Sequence, residues 1–215
     1  MTWTTSETPL RFKGLAWFAM PSEAATIRAF IAIAVPEEIR GRIAGFQREW
    51  QASLRGNFIR WTPTDQIHLT LRFLGNVSAQ SVPELEAALR QACDGVVSFE
   101  LVAGSSGCFP DARKPRVLWV GLSGALPVVA GLQAKIAAAT SAWGEVEERA
   151  FHPHLTIGRV KQAPPPALRE ISHRASTMTR GELGRWCVGE VMLMRSELSP
   201  AGAKHTELAR IALCA

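Results

Sequence analysis

Two short stretches of the chain carry one pattern, His68-Leu69-Thr70-Leu71 and His154-Leu155-Thr156-Ile157. Imidazole has an unperturbed pKa of about 6.5, so it can give or take a proton near neutral pH. Both stretches read as β-strand, over residues 66–73 and 151–160, and successive side chains of a strand point to opposite faces. His68 and Thr70 therefore share a face, with Leu69, Leu71 and Phe73 behind them. His154 and Thr156 share a face backed by Leu155 and Ile157. If the strands face each other across a cleft, two imidazoles and two hydroxyls converge on one point. Such a site can hold a phosphate and break one of its ester bonds without a metal, one imidazole acting as base and the other as acid. Charge growing on the non-bridging oxygens needs fixed donors, and Thr70, Thr156 and Arg159 are the candidates. In a regular strand Arg159 shares its face with Ile157, which leaves a solvated or ion-paired role open.

The other histidines lack the pattern. His152 shares a strand face with His154, and neutral imidazole is a common metal ligand. No carboxylate or thiol stands beside the pair at ligand spacing, and Glu145, Glu147 and Glu148 read as a solvated loop. No metal and no other cofactor is expected. His173 falls in an exposed helix and His205 at the start of a terminal strand, so both read as bland.

The elements that must position the motifs follow from apolar periodicity. Residues 27–35 form an apolar strand candidate ended by Pro36. Ile39, Ile43, Phe46, Trp50 and Leu54 then recur at helical steps over residues 37–54. Gly56-Asn57 turns the chain, and Gly75-Asn76 is expected to close the first motif strand. Ser81-Val82-Pro83-Glu84 predicts a capping box opening a helix to about Cys93. Residues 98–103 alternate as a strand, 104–115 read as a loop rich in turn formers, and 115–122 as another strand. A helix over 128–143 buries Val129, Leu132, Ile136, Ala139 and Trp143. Pro164-Pro165-Pro166 precedes a short helix near 167–174, and strands near 188–198 and 205–213 follow. Each motif strand has a helix before and after it, which reads as a duplication giving two α+β lobes.

The 215 residues suit one generous domain or two small lobes, and 47% hydrophobic with 20% charged residues is ordinary for a soluble protein. No apolar run is long enough to cross a bilayer, so no membrane partner is expected. Cys93, Cys108, Cys187 and Cys214 are scattered without C-x-x-C or zinc spacing and read as free thiols of a reducing cytoplasm. A net charge of +5 favours an anionic partner only mildly. Residues 1–25 are expected to be an extension. Leu15 to Met20 weakly imitates a signal peptide but is cut off by Pro21, and Met20 is an alternative start. A monomer is expected.

With both motifs placed, the chain resembles the two-histidine phosphoesterase superfamily, and within it the RNA 2′,3′-cyclic phosphodiesterases, also called 2′-5′ RNA ligases. The likeness runs from Ile27 to Leu213. It rests on residues 67–75 (Ile-His-Leu-Thr-Leu-Arg-Phe-Leu-Gly), 116–121 (Arg-Val-Leu-Trp-Val-Gly), 151–160 (Phe-His-Pro-His-Leu-Thr-Ile-Gly-Arg-Val) and 195–198 (Arg-Ser-Glu-Leu). Met194 departs from it, since relatives often carry an aromatic residue there. The resemblance implies an α+β, bilobal fold, with two pseudo-symmetric, mainly antiparallel sheets and outer helices around a central cleft. Residues 26–215 would then be a single bilobal catalytic domain. It further implies hydrolysis of a 2′,3′-cyclic phosphate RNA end to a 2′-phosphate, with His68 as proton donor and His154, rather than His152, as acceptor. Thr70 and Thr156 match the phosphate-holding hydroxyls, and reverse ligation would be secondary.

An RNA chain needs further contacts. Arg55, Arg60, Arg113, Lys114 and Arg116 lie in or beside loops and can neutralise phosphates, although each reads equally well as solvated charge. Trp61 and Phe73 can stack a base, but Phe73 occupies the apolar back of its strand, where core packing is expected. Two alternatives stay open: the same site acting on a small cyclic phosphate nucleotide, and a non-catalytic module that binds RNA ends. Two titratable His-Thr pairs argue against the module, because binding alone favours Arg or Lys.

Overall fold

A strand rich in Ile, Ala and Phe at Thr26–Ala34 (β1) is buried on both faces beyond its first residues, so it belongs in the middle of a sheet. Pro36 ends it and precedes α1 (Glu37–Ser53), whose Ile39, Ile43, Phe46 and Trp50 are buried. The chain continues through β2 (Ile59–Trp61) and a 3-10 turn (Thr64–Gln66) into the first motif strand, β3 (His68–Ser78). After α2 (Val82–Cys93) come β4 (Phe99–Phe109), β5 (Val117–Gly124) and α3 (Leu126–Ala139). The second motif strand, β6 (His154–Val160), leads to α4 (Pro165–Thr177) and the strands β7 (Gly184–Val188), β8 (Glu190–Ser199) and β9 (Gly202–Ala212). This computed structural model describes residues 1, 25–144, 149–177, 181–199 and 202–215. The expectations for residues 2–24 and for the glutamates at 145–148 lie outside the described residues. Among the described residues no helix is long and apolar enough to cross a membrane.

The sheet runs β7-β4-β5-β6-β3-β1-β8-β9, with β2 beside β6, and the pairs are antiparallel. Outward from the motif strands, β3-β1-β8-β9 and β6-β5-β4-β7 are matching halves. They join edge to edge at Leu69↔Leu155, so the α+β reading with two pseudo-symmetric antiparallel halves and outer helices holds. The helices tie the halves together. Gln47 of α1 donates to the Ile157 carbonyl of β6 at 2.8 Å, and Arg72 of β3 reaches Thr140 at the end of α3 at 2.7 Å.

Several local expectations differ from the structure. Gly75-Asn76 does not end the first motif strand, because Ala29↔Gly75 and Arg28↔Asn76 continue the ladder to Ser78. Ser81 makes no side-chain cap. Ser78 instead accepts from the Gln80 amide at 3.2 Å and opens a 3-10 turn ahead of α2. The first half of the loop expected at 104–115 is strand, since β4 runs to Phe109. A Cβ on Gly107 would stand 2.2 Å from the Trp119 ring, so the glycine is there to admit an indole and not to make a turn. β2 and β7 are too short to show a period in the sequence.

Candidate active site

Leu69 and Leu155, 1% and 0% exposed, bury the seam between the halves, and the residues on either side of them must point into the cleft. Carried one residue each way, that register sets His68 opposite Thr156 and Thr70 opposite His154. All four are half-buried. Opposed residues of an antiparallel pair stand about 4.5–5.5 Å apart and diagonal ones about 7–8 Å. That register would put the two imidazoles on a diagonal with a hydroxyl facing each.

Each ring is held by the same device. His68 Nδ1 lies 2.8 Å from the Gln66 carbonyl and His154 Nδ1 lies 2.6 Å from the His152 carbonyl. A carbonyl only accepts, so Nδ1 carries the hydrogen in both rings and Nε2 is left free. A neutral ring then presents a basic lone pair at Nε2, and a protonated ring presents an acidic N–H there. His152 serves through its backbone, and its own ring is exposed.

The faces beyond the threonines are set by bulges. In β3 the pairs Ala32↔Thr70 and Ile31↔Arg72 skip Leu71; in β6 the pairs Trp119↔Thr156 and Leu118↔Gly158 skip Ile157. An extra residue reverses the alternation that follows it. Arg72 is thereby buried, and Phe73, expected in the core, is turned to the cleft side at 55% exposure opposite Phe30. Arg159, which a regular strand would face away, is exposed on the His154 side, where its charge acts on that imidazole. Trp61 sits opposite Gly158, with its ring 6.2 Å from that of Trp50, and packs against the core. Arg55, Arg60, Arg113, Lys114 and Arg116 are exposed.

His205 is the largest departure from expectation. Its ring lies 5.2 Å from that of His68 and 4.9 Å from that of Phe30, while Phe30 stacks on His68 at 4.8 Å. Gln66, whose carbonyl holds His68, also donates its side-chain amide to Ala203 of β9 and so latches that strand over the site. Burial pushes His68 down to about 4. The Gln66 hydrogen bond opposes this, and the charges of His205 and His154 add to it. His154 is lowered too, chiefly by burial, with His152 and Arg159 adding. Burial also lowers His205, against the pull of Asp65. In the other half Phe109 meets His154 edge-on at 4.9 Å. Two His-Thr pairs in one cleft, with each imidazole pinned and its Nε2 free, have the makings of a phosphoryl-transfer site.

The family described as LigT like Phosphoesterase matches residues 33–119 and 123–205. The chain belongs to that family. An RNA 2′,3′-cyclic phosphodiesterase of Methanothermobacter thermautotrophicus is 30% identical over 182 residues, covering 85% of this chain and 96% of the relative. One from Aquifex aeolicus is 26% identical, covering 84% and 94%. Among solved structures, TT0787 of Thermus thermophilus superposes with a TM-score of 0.70 at 27% identity, covering 87% of this chain and 98% of that one. E. coli LigT complexed with 3′-AMP does so with a TM-score of 0.65 at 26% identity, covering 88% and 99%.

In this LigT-like phosphoesterase the two His-Thr pairs singled out from the sequence meet at the Leu69↔Leu155 seam, whereas Gln66 and His205 were not singled out and Phe73, weighed as a stacking residue, was expected in the core. The two bulges that turn Phe73 and Arg159 leave no mark in an apolar run. His205 is brought in by β9 from the far end of the chain. Only the shortage of histidines elsewhere could have singled it out.

Proposed function

We propose that the protein is a metal-independent RNA 2′,3′-cyclic phosphodiesterase that opens a 2′,3′-cyclic phosphate end to a 2′-phosphate. The observation that carries this reading is the matched pair of imidazoles, each pinned through Nδ1 to the carbonyl two residues earlier and each offering Nε2 to one cleft. His154 Nε2 takes a proton from water as its oxygen attacks phosphorus. His68 Nε2–H gives a proton to the departing 3′-oxygen. The Thr70 and Thr156 hydroxyls and Arg159 donate to the non-bridging oxygens as charge grows there.

In the free protein His68 is neutral at pH 7. A phosphate anion placed between the rings favours their charged forms and restores the proton that the donor needs. Among the described residues no three His, Cys, Asp or Glu side chains come together to hold a metal ion, and the proposed steps use imidazole at both proton transfers. With a 5′-hydroxyl in place of water as the nucleophile, the same steps in the same direction, with the P–O3′ bond broken and the 3′-oxygen protonated, join two RNA ends through a 2′-5′ bond. The test is product analysis on an oligonucleotide ending in a 2′,3′-cyclic phosphate, in excess chelator. A 2′-phosphate product supports the proposal; no turnover, or a 3′-phosphate product, overturns it.

A further inference from the structure

One strand of the second half, β4, carries a residue in a conformation that its side chain opposes. The pairs Gly104↔Gly121 and Ser106↔Val120 skip Ser105, and Ser105 has a φ of +51°, in the left-handed region that a Cβ disfavours. Among the described residues it is the one non-glycine there. Gly104 and Gly107 of the same strand, which could enter that region freely, lie outside it. Strain of this kind persists only where the surroundings enforce it, and it gathers at functional sites.

Gly121 shows where the serine side chain goes. It stands opposite His154 in the ladder between β5 and β6, so the two share the cleft face. A Cβ on Gly121 would collide with Ser105 Oγ. The hydroxyl therefore fills the place that a side chain at 121 would take, about 5 Å from His154 Cβ. Ser105 is exposed, so this hydroxyl is open to the cleft. Around it stand the rings of Phe109, 4.9 Å from that of His154, and of Trp119, 5.4 Å from that of Phe109.

In an in-line displacement the entering oxygen approaches phosphorus from the side away from the leaving oxygen. With His68 of β3 at the leaving 3′-oxygen, water enters from the β6 side, and β5 with Ser105 above it is the next strand outward. A water molecule has two hydrogens, and His154 Nε2 accepts only one. We infer that Ser105 Oγ accepts the other, aims the water's lone pair at phosphorus and so selects water as the nucleophile. The inference rests on the phosphodiesterase reading proposed above. As the bond from the water oxygen to phosphorus forms, one proton passes to His154 Nε2 and the second hydrogen stays on the entering oxygen, against Ser105 Oγ. The P–O3′ bond breaks, and His68 Nε2–H protonates the 3′-oxygen. An alcohol has a single hydroxyl hydrogen, which His154 takes, so it gains nothing from Ser105.

The test follows a cyclic-phosphate-ended oligonucleotide in water–methanol mixtures, where hydrolysis gives the 2′-phosphate and methanolysis gives its methyl ester. In Ser105→Gly and in Ser105→Ala hydrolysis slows about 10-fold, the scale of one lost hydrogen bond. Methanolysis keeps its rate, so the ratio of methyl ester to phosphate rises about 10-fold. Ser105→Gly also sheds the cost of a left-handed serine, and its urea midpoint stays at or above that of wild type. A wild-type product ratio in both variants, or an equal loss of both products, overturns the role of Ser105 and leaves the phosphodiesterase reading standing. Absence of 2′-phosphate from the wild-type protein overturns both.

Discussion

His68 and His154 each have Nδ1 held by the carbonyl two residues earlier, which leaves Nε2 as the nitrogen available for the proposed proton transfers. His68→Ala or His154→Ala is expected to lower turnover on the order of 10²- to 10⁴-fold, the usual span for a lost general acid or base. Thr70→Ala and Thr156→Ala cost less and act mostly on KM; steady-state kinetics on the cyclic-ended oligonucleotide separates the two classes. His68 also couples pH to folding. Its folded pKa of about 4 lies below the ordinary 6.5, so the unfolded chain takes up the proton first as pH falls. Stability held by the neutral ring is whole above pH 6.5 and drains away toward pH 4, by about 3 kcal/mol for that gap. Urea unfolding of wild type and His68→Gln at several pH values checks this, with the variant expected to lose less on acidification; parallel curves would contradict it. His205→Gln removes a positive neighbour, so His68 should titrate at higher pH when followed by its ring resonances. Chemistry of this kind was legible at His68 and His154 because a repeated motif is a local signal. At His205 it was not, since a ring contact between residues so far apart in the chain has no local signature.

The bulged motif strand is the element whose behaviour a regular period mispredicts. Alternation would send Arg72 to the cleft beside His68 and Thr70, and Phe73 to the core; one extra residue at Leu71 exchanges them. The exchange is anchored from behind. The Arg72 guanidinium, 7% exposed, donates to the Ala137 carbonyl, to Thr140 Oγ1 at 2.7 Å and to the Trp143 carbonyl at 3.0 Å. These groups lie at or just past the C-terminal end of α3, where orphaned carbonyls and the helix dipole favour a cation. Arg72→Met is expected to destabilise the fold by roughly 3 kcal/mol, since charged hydrogen bonds contribute about 1.5–3 kcal/mol each and buried acceptors would be left without donors. Arg72→Lys should recover part of the loss, lacking the planar fork; chemical denaturation of both variants reads the difference. In β6 the same position is Gly158, where a Cβ would come 2.9 Å from Ile59 Cγ2, and the bulge is held instead through Gln47 and the Ile157 carbonyl. Helices and the longer strands were legible from apolar spacing. Bulges were not, because they answer to partners on other elements.

The whole molecule brings two half-sites together, and the proposed reaction needs one imidazole protonated in a cleft where burial favours both neutral. Duplication was readable from the repeated motif and its flanking helices. The edge-to-edge union of the halves through Leu69↔Leu155 was not, since a single ladder pair between two apolar strands has no composition of its own. That union brings the rings close enough for a positive charge on His154 to disfavour one on His68, while burial lowers both. In kinetics, kcat/KM reports the free enzyme and kcat the substrate complex. The bell in kcat/KM should therefore lie below the ordinary 6.5, its acid limb near pH 4. A bound phosphate anion raises the pKa of both rings, so the bell in kcat should move toward neutral pH. The same shift requires net proton uptake when a nucleotide 2′-phosphate binds to the free enzyme near pH 6, and calorimetry in buffers of different ionisation enthalpy counts those protons. Superimposable kcat and kcat/KM profiles, with no proton taken up on binding, would mean that the anion does not sit between the rings. The two halves would then be joined for folding and not for chemistry.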